Sequence, residues 1–335
     1  MKLSACIKSM RLRTLPLSLS GVVMGVFLAY SILPSLQWDG LPAADTSLAL
    51  SAGPAAVAAL PSQATILLLL LTTVLLQILS NLSNELGDTL SGTDRADRAG
   101  IHYSLQDGQL SIVQMKRLIA AVASACCLSG LLMVISSFGT IFAPEPVALL
   151  LLGAAAIWAA MHYTLGKNPY GYRGKGDLFV FLFFGLVSVC GAFYVCTHTL
   201  HPLLLLPAAA IGCFSVGVLN LNNIRDMKSD AATRKTVAIK LGPVRARMYQ
   251  TALIFLGWTL MLLFTSLYLY FGIRAQLLWT PVWSPWLYLL TFPLYLLHLK
   301  GVWTRNERAL DPMLPLLVLS TFALSLLAGV GIVIA

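Results

Sequence analysis

Runs such as ATILLLLLTTVLLQIL (64–79) recur along this chain, each close to twenty residues with almost no charge. At about 1.5 Å per residue a run of that length crosses the hydrocarbon core of a bilayer as a helix. A buried span must satisfy its backbone hydrogen bonds internally, which a helix does by itself. The constraint extends over the whole chain. Of its 335 residues 58% are hydrophobic and 10% charged, where a soluble domain carries about a quarter charged residues. The expectation is an all-α polytopic membrane protein of about nine transmembrane helices around a central cavity.

The runs predict spans at roughly 15–33, 64–83, 115–137, 147–165, 178–197, 203–221, 248–271, 284–299 and 313–334. The segment LPAADTSLALSAGPAAVAALP (41–61) is only mildly apolar, with Asp45 and three prolines. It reads as part of an external loop insertion, 34–63. Lys2, Lys8, Arg11 and Arg13 precede the first run as in a signal peptide, but the spans downstream make it an uncleaved first helix.

Charge sets the orientation. With the N-terminus cytoplasmic, 21 of the 22 basic residues fall on inner segments and only Arg274 lies outside. Counting 41–61 as a span would reverse every later loop and destroy that asymmetry. The net charge of +9 is thus a topology signal, and no nucleic-acid recognition motif accompanies it, so nucleic acid is not an expected partner. The six cysteines form no C-x-x-C pair and read as small packing residues. One domain spans 1–335, an integral protein of the cytoplasmic (inner) membrane with lipid as its surroundings.

Ten of the 13 acidic residues also gather on the inner side, which the positive-inside bias does not require. They concentrate in two inner segments, 84–114 and 222–247. In NLSNELGDTLSGTD (81–94), Asn84 and Asp88 are one helical turn apart, and Gly87 and Gly92 let the chain turn so that Asp94 folds back. In NLNNIRDMKSD (220–230), Asn222, Asp226 and Asp230 are spaced i, i+4, i+8 along one face. The N-x-x-x-D unit thus occurs twice, 138 residues apart, as in a pseudo-repeat.

Clustered carboxylates repel one another unless a cation holds them. Oxygen-only donors without His or Cys suit Mg²⁺, which shares its remaining positions with water and phosphate oxygens. Two facing clusters can clamp a diphosphate through metal, with Arg95, Arg98, Arg225, Lys228 and Lys235 completing its neutralisation. One acidic helix end is equally well a solvated end; two matched ends on one face are not. A third segment, HYTLGKNPYGYRGKGDLFVFLFFG (162–185), offers Tyr170, Tyr172 and Arg173 as contacts for an aromatic acid over the cavity mouth. An ordinary tight inner loop is the other reading of it.

The residues that carry chemistry resemble those of the UbiA superfamily of intramembrane prenyltransferases. The resemblance rests on RLRTLPLSLSG (11–21), NLSNELGDTLSGTDRADRAG (81–100), NPYGYRGKGDLFVFLFFG (168–185) and NLNNIRDMKSDAATRKTVAIKLG (220–242). Within it the chain is most similar to the branch acting on 1,4-dihydroxy-2-naphthoate in menaquinone biosynthesis. Glu85 stands where relatives often have Asp, and Ile101 and Tyr103 stand where they commonly have Pro and Arg. The resemblance implies nine helices around a cavity open to lipid. It implies Asn84, Asp88, Asp94, Asn222, Asp226 and Asp230 as Mg²⁺–diphosphate residues, the four aspartates being the catalytic ones. It also implies a substrate-binding set of Arg13, Arg98, Arg225, Lys235, Tyr170, Tyr172 and Arg173 besides the two asparagines.

The implied reaction is Mg²⁺-dependent transfer of a polyprenyl group from an allylic diphosphate to 1,4-dihydroxy-2-naphthoate. Diphosphate and CO₂ leave, giving demethylmenaquinone. Phe179, Phe181, Phe183 and Phe184 are candidates to face an allylic cation, and His162 and Tyr163 to meet the acceptor; packing and an interfacial pair are the ordinary alternatives. An ion-coupled transporter also carries intramembrane acids, nearer the midplane as a rule. A CDP-alcohol phosphotransferase would open on D-G-x-x-A-R, absent here. Superfamily branches with another aromatic acceptor, such as a hydroxybenzoate, would share the metal clusters and differ in the acceptor pocket.

Overall fold

The computed structural model describes residues 3–35, 61–92, 103–231, 233–278 and 283–335. Most of the 34–63 insertion, and with it the reading of 41–61 as an external loop, lies outside the described residues, as do Asp94, Arg95, Arg98 and Ile101. Among the described residues every regular element is helical.

The helices are α1 (Leu3–Met10), α2 (Leu15–Ala29), α3 (Gln63–Leu90), α4 (Ile112–Phe138) and α5 (Pro144–His162). They are followed by α6 (Gly176–Thr197), α7 (Leu205–Arg225), α8 (Val237–Arg274), α9 (Phe292–Thr304) and α10 (Met313–Val333). Local chemistry sets several ends. The Ser62 hydroxyl accepts from Thr65 N–H to start α3, and Ser111 with Gln114 forms a reciprocal capping box on α4. Helix α8 breaks at Gly242 and restarts on Pro243, a residue suited to a first helical position.

Eight helices among the described residues are long and apolar enough to cross a membrane, the signature of a polytopic membrane protein. The ninth expected segment, 284–299, is built differently. A 3₁₀ stretch over Ser284–Thr291 runs into α9. Pro293 explains the change: it has no N–H for the carbonyl four residues back, and its ring crowds that carbonyl. The steeper rise of the 3₁₀ half gives the combined segment a length of about 35 Å.

Two apolar cores flank a cavity. One joins α2, α6, α7, α8, α9 and α10 through buried residues such as Met24, Phe193, Phe214, Phe264 and Leu324. The other joins α1, α3 and α4 through Ala5, Leu79, Leu82 and Met115. Helix α3 packs on α4 and α5, α7 packs on α8 and α6, and α2 lies between α3, α6 and α10. Polar groups inside the spans are tied across helices, as a low-dielectric interior requires. Asn220 Nδ2 donates to Gln250 Oε1 at 2.9 Å, and Gln250 Nε2 lies 3.1 Å from His298 Nε2.

Helix α6 contains a π-helical section, Phe181–Val187. Residues of α6 that line the cavity fall at 179/180, 183/184, 187/188, 191/192 and 195. A step of four drifts off one face of a 3.6-residue helix, and the wider π turn restores the alignment. Phe179, Phe183 and Phe184 therefore all face the cavity, while Phe181 packs on Gly212 of α7.

Candidate active site

The cavity, about 460 Å³, is lined mainly by α2, α3, α5, α6 and α7, with Met133 of α4 and Leu314, Pro315 and Val318 of α10. Leu69, Leu76, Met133, Leu149, Val187 and Val195 make up much of its apolar wall. One end is polar, and both N-x-x-x-D units arrive there. Asn84 and Asp88 lie in the last two turns of α3, which stays helical to Leu90. Asn222 lies in the last turn of α7, and Asp226 caps that helix.

The i, i+4 spacing of the second cluster survives the end of α7. Asp226 N–H donates to Asn222 O at 3.0 Å, Asp230 N–H to Asp226 O at 2.9 Å, and Arg234 N–H to Asp230 O at 2.9 Å. One more step of four thus delivers Arg234, which the sequence reading passed over in favour of its neighbour Lys235. The Arg234 side chain is buried, donates to Asp88 Oδ1, and holds Nη1 3.6 Å from Asp230 Oδ2. Lys235 is exposed and contributes its backbone, donating to Tyr172 O at 2.9 Å. The sequence signal for Arg234 was the same four-residue step that found the aspartates.

Arg225 serves the second cluster in the same way. Its Nε and Nη2 make a fork onto Asp226 at 2.7 and 2.6 Å. Nη2 also reaches Asn222 Oδ1 at 2.8 Å, and Nη1 reaches Asp311 Oδ1 at 2.8 Å. Bidentate pairing of this kind suits guanidinium over ammonium. Burial alone would lower the Arg234 pKa, but the Asp88 and Asp230 carboxylates outweigh it and hold it raised, so the cation persists. Tyr172 donates to Asp88 Oδ1 at 2.6 Å. Burial and the Asp88 charge push its phenol up to about 12, so it remains a donor. Tyr172 thus serves the acidic cluster.

The other expected residues divide. Tyr170 lines the cavity, stacks on Phe179 with ring centroids 4.0 Å apart and donates to Ala159 O at 2.7 Å. Tyr163 lines the cavity beside it, whereas His162 is exposed and stacks on Trp158. Arg173 is exposed and bonds Asn168 within its own loop. Lys228 pairs with Glu307 on the surface. Arg13 lines the cavity. Glu85 faces away from the site, where its Oε1 accepts from Leu105 N–H at 2.8 Å. Thr164, which the sequence reading missed, donates to Asn84 Oδ1 at 3.2 Å and to Ser83 O at 3.0 Å.

Gly87 and Gly92 differ in role. Gly92 has φ +70° just past α3 and makes the expected turn. Gly87 is helical and makes none; Thr164 packs where its side chain would be, with Oγ1 2.6 Å from an ideal Cβ. Among the described residues no three Asp, Glu, His or Cys side chains converge to hold a metal ion. The clusters meet through guanidinium groups.

Membrane-length helices around an apolar cavity, with two matched Asn/Asp clusters at one end, define a membrane protein whose polar chemistry sits at the mouth of a greasy chamber. The model of the UbiA prenyltransferase family matches residues 46–327. The chain belongs to that family. It is 36% identical over 330 residues to the 1,4-dihydroxy-2-naphthoate octaprenyltransferase of Escherichia coli (strain K12), covering 98% of this chain and 94% of that protein. It is 32% identical over 335 residues to the protein of the same description from Haemophilus influenzae (strain ATCC 51907 / DSM 11121 / KW20 / Rd), covering 99% and 97%. A solved structure described under the biosynthesis of digeranylgeranylglyceryl phosphate synthase in membranes shares the fold, with a TM-score of 0.52, 13% identity and 98% coverage of both chains.

Proposed function

We propose that the protein transfers a polyprenyl group from an allylic diphosphate to 1,4-dihydroxy-2-naphthoate, releasing diphosphate and CO₂. The observation that carries this reading is the meeting of two Asn/Asp clusters and two buried arginines at the polar end of a cavity with an apolar wall. A prenyl diphosphate has the same division, a highly charged head on a hydrocarbon tail. The near-full-length similarity to two dihydroxynaphthoate octaprenyltransferases supports the acceptor and a long prenyl chain.

The donor set fits Mg²⁺. Asn and Asp oxygens supply every candidate ligand, no His or Cys lines the cavity among the described residues, and the carboxylates already hold cationic groups. Asn84, Asp88, Asn222, Asp226 and Asp230 would hold the metal, with Asp94 as a further candidate. Bound Mg²⁺ supplies neutralisation of the charge that develops on the leaving diphosphate.

The chain's own groups do the rest. Arg225 and Arg234 stand at the clusters as donors to diphosphate oxygens. The apolar wall takes the prenyl tail and excludes water. Tyr170, Phe179 and Phe183 present π faces to positive charge developing at the allylic carbon. The C1–O bond breaks with its electron pair leaving on diphosphate. A bond forms from C1 to the ring carbon bearing the carboxylate, and the C–CO₂ electron pair returns to the ring. The product leaves at the hydroquinone level and is demethylmenaquinone once oxidised. No covalent enzyme nucleophile takes part. The basic-residue asymmetry supports a cytoplasmic N-terminus and an active site on the cytoplasmic side of an inner membrane.

The test incubates the purified full chain with dihydroxynaphthoate and octaprenyl diphosphate, with Mg²⁺ and with chelator. Prenylated product, diphosphate and CO₂ in equal amounts, lost with chelator, are expected. No product with this acceptor, but product with hydroxybenzoate, would overturn the acceptor; diphosphate release without Mg²⁺ would overturn the metal.

A further inference from the structure

A second polar wall lines the cavity, deeper along α3. Asn81 Nδ2 donates to Met10 O at 2.8 Å and to Thr14 Oγ1 at 2.9 Å. The Thr14 hydroxyl donates to Arg11 O at 3.0 Å. Gln77 Nε2 donates to Thr14 Oγ1 at 3.2 Å and to Asn81 Oδ1 at 3.1 Å. The direction of this network is determined. Met10 O is a carbonyl and accepts only, so Asn81 must turn its NH₂ towards it and its oxygen towards Gln77. Gln77 must then offer its NH₂ to Asn81. Its carbonyl oxygen is left over, and Gln77 Oε1 has no hydrogen-bond partner among the described residues although the residue is only 8% exposed.

A buried donor is left over on the same wall. Arg11 Nε also has no partner. Arg11 has φ +50°, an uncommon conformation for a side chain that large. Its guanidinium lies 3.7 Å above the Tyr103 ring, and Arg13 Nη2 donates to Tyr103 Oη at 3.0 Å. Tyr103 therefore holds two cations at the cavity wall. Buried polar atoms without partners are costly and uncommon. A ligand offering a hydroxyl to Gln77 and a carboxylate to Arg11 satisfies both.

The pseudo-repeat separates this wall from the diphosphate end. A shift of 138 residues carries Asn84 and Asp88 onto Asn222 and Asp226, but it carries Gln77 and Asn81 onto Ser215 and Leu219. The clamp is duplicated and the amide pair is not. Along the α3 axis Gln77 lies about 16 Å and Asn81 about 10 Å from Asp88, which leaves room for a bicyclic acid between the two.

We propose that Gln77, Arg11 and Arg13 form the acceptor subsite, Gln77 Oε1 accepting from a ring hydroxyl and the arginines taking the carboxylate of a hydroxyaryl carboxylate. This rests on the reading of the chain as a dihydroxynaphthoate prenyltransferase.

The test measures binding and turnover with the full chain in nanodiscs under anaerobic conditions. The ligands are dihydroxynaphthoate, 2-naphthoate (carboxylate, no hydroxyls) and naphthalene-1,4-diol (hydroxyls, no carboxylate). Wild type is expected to bind dihydroxynaphthoate roughly tenfold or more tightly than 2-naphthoate. Gln77→Leu should bind the two within about threefold, and Arg11→Gln should bind dihydroxynaphthoate roughly tenfold more weakly with the diol unchanged. KM for the prenyl diphosphate should stay within about twofold in both variants, a split that misfolding does not produce. Wild-type turnover with discrimination unaltered in Gln77→Leu overturns the subsite and leaves the function standing. Absence of both binding and turnover in wild type overturns the function and the subsite with it. If Gln77→Leu does not fold, Arg11→Gln decides: equal weakening for acid and diol overturns the subsite.

Discussion

The Arg234 guanidinium donates to Asp88, which lies 146 residues earlier in the chain, while its other terminal nitrogen faces Asp230. One buried cation thus joins the C-terminal end of α3 to the segment that follows α7. The two N-x-x-x-D units belong to separate helical pairs, and this contact makes them one site. A cation is what the clusters need, because three buried carboxylates at short range repel strongly in a low-dielectric setting.

Asp88→Asn and Asp226→Asn are each expected to lower turnover by at least about 10²-fold, in the range seen when groups stabilising transition-state charge are removed. Each change keeps the side chain's shape but breaks a buried ion pair, with Arg234 or with Arg225, so Tm should fall while the folded protein still elutes as wild type. Purified variants are compared by kcat at saturating substrates. Near-normal turnover in a well-behaved Asp88→Asn protein would refute the assignment of that cluster to the diphosphate.

Arg234 and Lys235 are adjacent and differ in burial, so they make a matched pair. Arg234→Met leaves Asp88 and Asp230 buried without the cation between them, and breaking a buried pair costs about 3–5 kcal/mol. A fall in Tm and a rise in KM for the prenyl diphosphate are expected. Lys235→Met removes an exposed ammonium and keeps the backbone bond to Tyr172, so Tm should hold and KM should change by less than about threefold. Equal effects from the two would show that loop charge matters more than the bridge.

Tyr172→Phe removes one bond to a carboxylate, worth roughly tenfold in affinity or rate. With its phenol pushed up to about 12, Tyr172 is neutral throughout the working range. It therefore contributes no limb to the pH–rate profile below about pH 10, and the wild-type and Phe profiles should have the same shape over pH 6–9. A limb present in wild type and missing from the variant would contradict that protonation state.

What the sequence made legible follows from how each signal is encoded. Spans appear because hydrocarbon thickness imposes a run length, and the paired clusters because a four-residue step is visible in the string. Asn84, Asp88, Asn222, Asp226 and Asp230 all sit on such steps. Arg234 needed the step carried beyond the helix end, through an α-turn at Asp230 that adjacent basic residues do not announce. Gly87 looked like a turn because its role depends on Thr164, 77 positions away. Gln77 stands one four-residue step before Asn81, but spacing alone does not say which amide keeps an unused oxygen; the orphan oxygen exists only once Met10 has oriented Asn81. Tyr103, which replaces an expected basic residue, holds Arg11 and Arg13 by its ring and hydroxyl. Asp94 and Arg98 keep their sequence-based standing as candidates.

Gly87→Ala tests whether close packing holds the first cluster in place. An ideal Cβ at 87 would lie 2.6 Å from both Cβ and Oγ1 of Thr164 and 2.7 Å from the Thr164 carbonyl oxygen. The hydroxyl can rotate away, but the carbonyl belongs to the backbone and cannot. Overpacking of this kind costs about 1–3 kcal/mol, so Tm should fall although alanine is the better helix former. Thr164 also donates to Asn84 Oδ1, so displacing it should raise KM for the prenyl diphosphate. Thr164→Ser in the Gly87→Ala background removes a methyl and keeps the hydroxyl; it should recover part of the KM and little of the Tm. An alanine variant as stable as wild type would mean that α3 and the α5–α6 loop slide past one another at this contact and that Asn84 is positioned by some other group.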